Sequence, residues 1–167
     1  DEVQHPDATL HAFVVSQPSR AVMWLNLACG AGVSFNSVNL LKGEHKSAEF
    51  LKVNPRGQVP AITVGDTSFG ESTAIAAYLT SRSGNDAALP DAKKHPAGHA
   101  NVLYWSRWVQ DNVRHPFVQY FINTVFAPAL GKTVAEGDAL LELIQGVKDA
   151  LTKWNTALEG KEGVAGP

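Results

Sequence analysis

Cysteine is almost missing from this chain: Cys29 is the single one among 167 residues. That excludes an internal disulfide and any cysteine-rich zinc site, and it fits a reducing compartment. Charge is sparse too, at 18% of residues, and nearly balanced, with a formal net charge of −2. Without a basic surplus there is no electrostatic footprint for nucleic acid or for an anionic membrane surface, and neither is expected as a partner. No apolar run approaches the ~20 residues that a membrane-spanning helix needs. Internal repeats and low-complexity tracts are absent as well. His5, His11, His45, His95, His99 and His115 form no set with a suitable acid at ligand spacing; His95 and His99 are four apart but border Pro96. No metal is expected.

What is present is 44% hydrophobic residues, enough to bury roughly 70% of the unfolded surface in one or two small cores. The chain opens on Asp1 with no basic-then-apolar leader and closes on the loop composition Gly160-Lys-Glu-Gly-Val-Ala-Gly-Pro167. It therefore reads as trimmed or processed, with an incomplete last domain. A cytoplasmic location is expected, with an organelle after N-terminal processing as the alternative.

Along the chain, Leu10 to Val15 predicts a strand, and Pro18 suits the first turn of a helix running to about Ala31. Gly30 and Gly32 stop that helix. Val33 to Leu40 predicts a second strand, and Ser47 to Val53 a short helix. Pro60 to Val64 and Thr67 to Phe69 are two strands joined by Gly65-Asp66, a hairpin signal. Ser72 to Arg82 is a helix with Ile75, Ala76 and Leu79 as its apolar stripe. The order over residues 8–84 is β-α-β-α-β-β-α. The stretch from Gly84 to Pro96 contains Gly, Asn, Asp and two prolines, which predicts a linker over residues 85–95. Residues 96–167 are all helical, with one helix over Ala97–Phe126 and another over Val134–Leu158. Tyr104, Trp105, Phe117 and Phe121 read as core, with an apolar pocket wall as the alternative for some of them, and Cys29 as a small core residue rather than a nucleophile.

Ser16-Gln17-Pro18-Ser19-Arg20 sits at the first strand-to-helix junction, beside free backbone N–H groups and the positive end of the helix dipole. Thioredoxin-like folds carry Cys-x-x-Cys there, whereas Ser16 and Ser19 are hydroxyls. A hydroxyl cannot exchange disulfides, but it can donate a hydrogen bond to a thiolate brought by a ligand. Alternatively, Ser16 simply caps the helix.

Four stretches occur together: Ser16-Gln-Pro-Ser-Arg-Ala21, Leu41-Lys-Gly-Glu-His45, Val53-Asn-Pro-Arg-Gly-Gln-Val-Pro-Ala61 and Gly70-Glu-Ser-Thr-Ala-Ile75. In order and spacing they resemble the glutathione S-transferase superfamily, its theta class above all. The resemblance implies a thioredoxin-like glutathione-binding domain followed by an all-helical domain. It implies Ser16 as the thiolate donor and Val59-Pro60 as a cis-proline corner whose backbone pairs with the tripeptide. It also implies Ser72 on the γ-glutamyl carboxylate, Glu71 on the γ-glutamyl ammonium and His45 on the glycyl carboxylate. Gln58 stands where many theta-class members carry lysine, which removes a charge from the site. Trp108-Val-Gln-Asp111-Asn-Val-Arg114 resembles a second-domain segment in which the Asp position reaches glutathione across a dimer and the Arg position lies by the electrophile.

The expected activity is conjugation of glutathione, as cosubstrate and with no further cofactor, to small apolar electrophiles by a homodimer. The alternative is a weakly active or inactive scaffold subunit of a larger assembly, since this fold is reused for docking. A disulfide oxidoreductase is disfavoured, because no cysteine lies at the helix start.

Overall fold

The computed structural model describes residues 7–86 and 88–160. His5 and the tail from residue 161 onward lie outside this range. The chain divides into two compact units between Lys94 and His95.

The first unit runs β1 (Ala8–Ala12), α1 (Gln17–Cys29), β2 (Ser34–Ser37), α2 (Ala48–Val53), β3 (Ala61–Val64), β4 (Thr67–Gly70) and α3 (Ser72–Ser83). Its sheet has the order β2-β1-β3-β4. β1 is parallel to β2 and antiparallel to β3, and β3 is antiparallel to β4. This is the thioredoxin-like arrangement expected from the sequence.

Side chains alternate across a strand, and β1 shows it: Ala8, Leu10 and Ala12 are buried while Thr9 and His11 face the other side. On the buried face, Leu10 and Ile62 pack with Val22 and Leu25 of α1 and with Ile75 and Leu79 of α3. Cys29 joins that core from its edge, as expected. On the other face Phe50 of α2 packs with Val38 and Ala61, and the His11 ring meets Phe50 edge-on at 6.2 Å.

Two strands end earlier than the apolar pattern suggests. The first does not reach Val15, because the chain turns at Phe13, whose carbonyl accepts from Ser16 N–H at 2.9 Å. Val14 and Val15 are exposed. The second does not reach Leu40, because Asn39 Oδ1 accepts from the N–H groups of Leu41 and Lys42 at 2.9 and 3.2 Å. That capping opens a 3-10 turn over Leu40–Lys42, followed by another over Glu44–Lys46.

The second unit holds α4 (Pro96–Val109), α5 (His115–Asn123) and α6 (Gly137–Leu158). In place of one uninterrupted helix over Ala97–Phe126, a π turn at Gln110–Arg114 joins α4 to α5. The cause is Pro116, which has no N–H for the Asn112 carbonyl and whose ring crowds that oxygen; a widened turn accommodates both. Trp105 meets Tyr104 at 5.2 Å and Trp108 at 5.3 Å, and Trp108 meets Trp154 of α6 at 6.1 Å. Tyr104 and Phe121, expected in the core, are instead 57% and 47% exposed. Helical spacing identifies a face but not what covers it.

A polar chain crosses the whole sheet on its α2 side. Asn36 Nδ2 of β2 donates to His11 Nδ1 at 3.0 Å. That leaves His11 Nε2 to carry the proton and donate to Thr63 Oγ1 of β3 at 3.1 Å. Thr63 Oγ1 in turn lies 3.0 Å from Ser68 Oγ of β4. Burial holds the His11 pKa below its ordinary 6.5, so folding favours the neutral ring. The stability this contributes is complete above pH ~6.5 and is lost as pH falls through the lower folded pKa.

Two outcomes follow for stability. Wild-type protein should lose thermal midpoint between pH 7.5 and 5, and His11→Gln should lose measurably less; equal losses would clear His11. Leu79→Ala empties a fully buried position and should cost about 2–5 kcal/mol, read as a lower urea midpoint at unchanged slope.

Candidate functional site

The topology gathers the first-unit candidates at one end of the sheet. Ser16 follows the C-terminal end of β1. His11 of β1 pairs with Ala61 at the start of β3, so Val59-Pro60 enters β3 at that same end. Ala61 also pairs with Gly70, the last residue of β4, and Glu71-Ser72 come next. Ala12 pairs with Ser37 at the end of β2, after which the chain runs into the turn that holds His45. Four loops distant in sequence thus open at one end of the sheet.

Ser16 is the N-terminal boundary residue of α1, in extended conformation, yet its hydroxyl makes no capping bond. Its backbone is tied down instead: its N–H goes to Phe13 O and its carbonyl accepts from Arg20 N–H at 3.0 Å. Arg20 reaches back to donate to the carbonyls of Val14 and Val15, each at 3.0 Å. The turn is therefore held by backbone groups and Arg20, while the half-buried Ser16 hydroxyl has no hydrogen bond among the described residues. Helix capping, the plain alternative for this serine, is not its role here. Ser19, three residues on, is fully buried, and its hydroxyl also lacks a partner.

The loop from Asn54 to Pro60 is organised from inside by one side chain. Asn54 is 7% exposed; its Nδ2 donates to Gln58 O at 2.7 Å and its Oδ1 accepts from Arg56 N–H at 3.2 Å. Its backbone carbonyl accepts from Gly57 N–H at 2.8 Å. Gly57 has φ +59°, and a Cβ there would lie 2.8 Å from Lys46 Nζ and 2.9 Å from His45 O. Only glycine suits both the left-handed backbone and the close approach of the His45 turn. Gln58 is exposed. The Val59–Pro60 peptide is cis, and neither backbone group of Val59 is engaged by another described residue. Across the sheet, Gly70 faces Asn54 Nδ2 and Pro60 O, which a Cβ would approach to 3.2 and 3.7 Å.

Glu71 is the one non-glycine residue with positive φ, +65°, among the described residues. A side chain rarely sits in that region, and such conformations cluster where a group must be aimed. Its carboxylate Oε1 accepts from Arg56 Nη1 in a close ion pair between two exposed side chains. Ser72 is the first residue of α3 and half-buried. His45 carries a buried Nδ1 with no partner; burial first, and the Lys46 charge second, lower its pKa from 6.5. A neutral ring can still donate a hydrogen bond, but it brings no charge.

Asp111 and Arg114 lie in the second unit, in the π turn. Asp111 Oδ2 accepts from Arg107 Nε at 2.8 Å, both side chains exposed. Arg114 Nε is buried without a partner. Among the described residues no group of His, Cys, Asp and Glu could hold a metal ion, and no helix is long and apolar enough to cross a membrane.

Sequence reasoning passed over four residues that build this edge: Arg20, Asn54, Arg56 and Gly57. Each lies inside a motif already singled out. Asn followed by Pro, and Gly two residues later, is turn chemistry that could have identified the loop's organiser.

Residues 7–81 match the family described as glutathione S-transferase, N-terminal domain. Glutathione S-transferase T1 of Arabidopsis thaliana is 37% identical over 145 residues, covering 79% of this chain and 56% of that protein. Human glutathione S-transferase theta-2B is 35% identical over 126 residues, covering 74% of this chain and 50% of that protein. The chain thus spans about half the length of these curated relatives. Among solved structures, a human theta-class glutathione transferase in complex with the glutathione conjugate of 1-menaphthyl sulfate superposes with TM-score 0.83 at 31% identity, over 96% of this chain and 65% of that one. The apo form of human glutathione S-transferase T1-1 superposes with TM-score 0.83 at 28% identity, over 96% and 66%. With the thioredoxin-like sheet and the four motifs in register, this chain belongs to the glutathione S-transferase superfamily and resembles its theta class.

Proposed function

We propose that this chain binds glutathione at the gathered edge of the sheet and transfers its sulfur to a small apolar electrophile. The observation that carries this reading is the free Ser16 hydroxyl, held by backbone bonds at the N-terminus of α1. It stands at the edge where Val59, Glu71 and Ser72 also emerge.

The thiol of glutathione titrates near other thiols, at about 8.5, so most of it is protonated at neutral pH. Ser16 donates a hydrogen bond to the sulfur and favours the thiolate; the helix dipole adds a smaller push. A hydrogen bond to a charged group is worth roughly 1.5–3 kcal/mol, or one to two pKa units. The proton leaves to solvent, sulfur forms a bond to the electrophilic carbon, and the leaving group departs with its electron pair. Positioning supplies the rest of the rate.

Val59 offers its N–H and C=O to the extended tripeptide as a short added strand. Glu71 takes the γ-glutamyl ammonium, Ser72 the neighbouring carboxylate, and His45 and Gln58 the glycyl end. No metal or further cofactor enters. Arg114 is assigned to the electrophile on the strength of the resemblance. Asp111 is assigned to glutathione of the second subunit of a homodimer, on the strength of the resemblance alone.

Calorimetric titration of the chain with glutathione should saturate in the micromolar to millimolar range; a folded sample that binds none favours the scaffold alternative. Ser16→Ala should leave that affinity within twofold while raising the pKa of the bound thiol, read from thiolate ultraviolet absorbance, by about one to two units. Turnover with an activated arylmethyl halide should fall tenfold or more. Equal thiol pKa in variant and wild type would assign sulfur activation to another group. Ser72→Ala should act on binding instead, weakening glutathione affinity several-fold; unchanged affinity would remove Ser72 from the site.

A further inference from the structure

The ion pair beside α3 has more binding capacity than it uses. Arg56 touches Glu71 through Nη1 and Oε1 only. A guanidinium has five N–H donors and a carboxylate about four acceptor positions. The remaining Arg56 donors and Glu71 Oε2 have no partner among the described residues. Both residues are about two-thirds exposed, at 65% and 67%, where such a pair adds little to folding.

Both ends of the pair are nonetheless placed with care. Glu71 is aimed by its unusual backbone, φ +65°. Arg56 is fixed through its N–H on Asn54 Oδ1 and sits next to Gly57, which locks the loop against the His45 turn. A pair with one free cationic edge and one free anionic edge is complementary to a zwitterion that carries ammonium and carboxylate on one carbon. Charge accounting points the same way. The glutathione thiolate carries two carboxylates, one ammonium and one sulfur anion. Glu71 is negative, Gln58 is neutral, burial favours the neutral form of His45, and the Lys46 ammonium is turned onto the Gly57 carbonyl at 3.4 Å. Glu71 with no cation beside it would repel the ligand's carboxylates.

We propose that Arg56 is a specificity-determining residue for the α-amino-acid end of the ligand. Its guanidinium donates to the α-carboxylate while Glu71, still bonded through Oε1, accepts from the ammonium through Oε2. Arg56 thereby supplies the cation missing at Gln58, two positions away in the same loop. This rests on the glutathione reading above and adds to it a residue that reads the γ-glutamyl head as a zwitterion.

The test is calorimetry on wild type, Arg56→Ala and Arg56→Lys with three probes. These are glutathione, the analogue lacking the α-carboxylate (4-aminobutanoyl-Cys-Gly) and the analogue lacking the ammonium (glutaryl-Cys-Gly). Arg56→Ala should bind glutathione roughly tenfold more weakly, as befits a lost charge-assisted contact. It should bind the decarboxylated analogue within twofold of wild type, and Arg56→Lys should fall between. Thermal midpoints should agree among the three proteins. If Arg56→Ala binds glutathione as well as wild type or better, Arg56 merely competes for Glu71 and the proposal fails. Equal losses on glutathione and on the decarboxylated analogue would also overturn it. Wild type that binds no glutathione at all overturns the function reading and this inference together, whereas binding with no Arg56 effect overturns this inference alone.

Discussion

The pairing of β1 with β3 is the constraint on which the candidate site depends. Their antiparallel register, His11 against Ala61, delivers the Val59-Pro60 corner to the end of β1 from which the Ser16 turn emerges. Because β4 folds back on β3, Gly70 and then Glu71-Ser72 arrive at the same place. A one-residue slip of either strand would turn its own core side chain, Leu10 or Ile62, out of the core. Burial of those two side chains therefore enforces the register, and the register aligns the loops.

Around that edge, polar groups are committed to one another in a way that leaves particular ones open. Arg20 takes the carbonyls ahead of Ser16, and Asn54 takes the backbone of its own loop from within. Buried polar groups normally find partners because leaving them unpaired is costly. The Ser16 hydroxyl, the Val59 backbone and the free edges of the Arg56–Glu71 pair are uncommitted against this background, at positions exposed enough for a ligand to meet them. The second unit shows the same contrast within itself, where Asp111 is spoken for by Arg107 while Arg114 Nε is buried and unpaired.

Much of this was legible beforehand, and the gaps have physical causes. The order β-α-β-α-β-β-α was readable because alternation, helical spacing and the Gly65-Asp66 hairpin are local signals. Strand ends were misjudged at Val15 and Leu40, where the turn closed by Ser16 N–H on the Phe13 carbonyl and the capping of Leu41 and Lys42 N–H by Asn39 override apolar propensity. The long aromatic helix was legible, but its π turn was not, because the effect of Pro116 falls one turn upstream. Tyr104 and Phe121 carry the same apolar signal as true core residues, and exposure is a property of neighbours rather than of the residue.

By itself the sequence determined the class of the fold, the order of its elements in the first unit and the residue types available for chemistry, because these follow from short-range pattern and composition. It also determined that thiol exchange is impossible at the start of α1, since Ser16 stands there and no cysteine does. Only the tertiary structure decided that the Ser16 hydroxyl is not spent on capping, that Glu71 shares its carboxylate with Arg56, and that the loop of Asn54 and Gly57 closes on its neighbour. The Arg56–Glu71 pair spans 15 residues of chain, and Gly57 meets the separate turn that holds His45. Contacts of that span exist only once the sheet register has closed, whereas the Asn54 bonds within its own loop are turn chemistry that a local pattern carries.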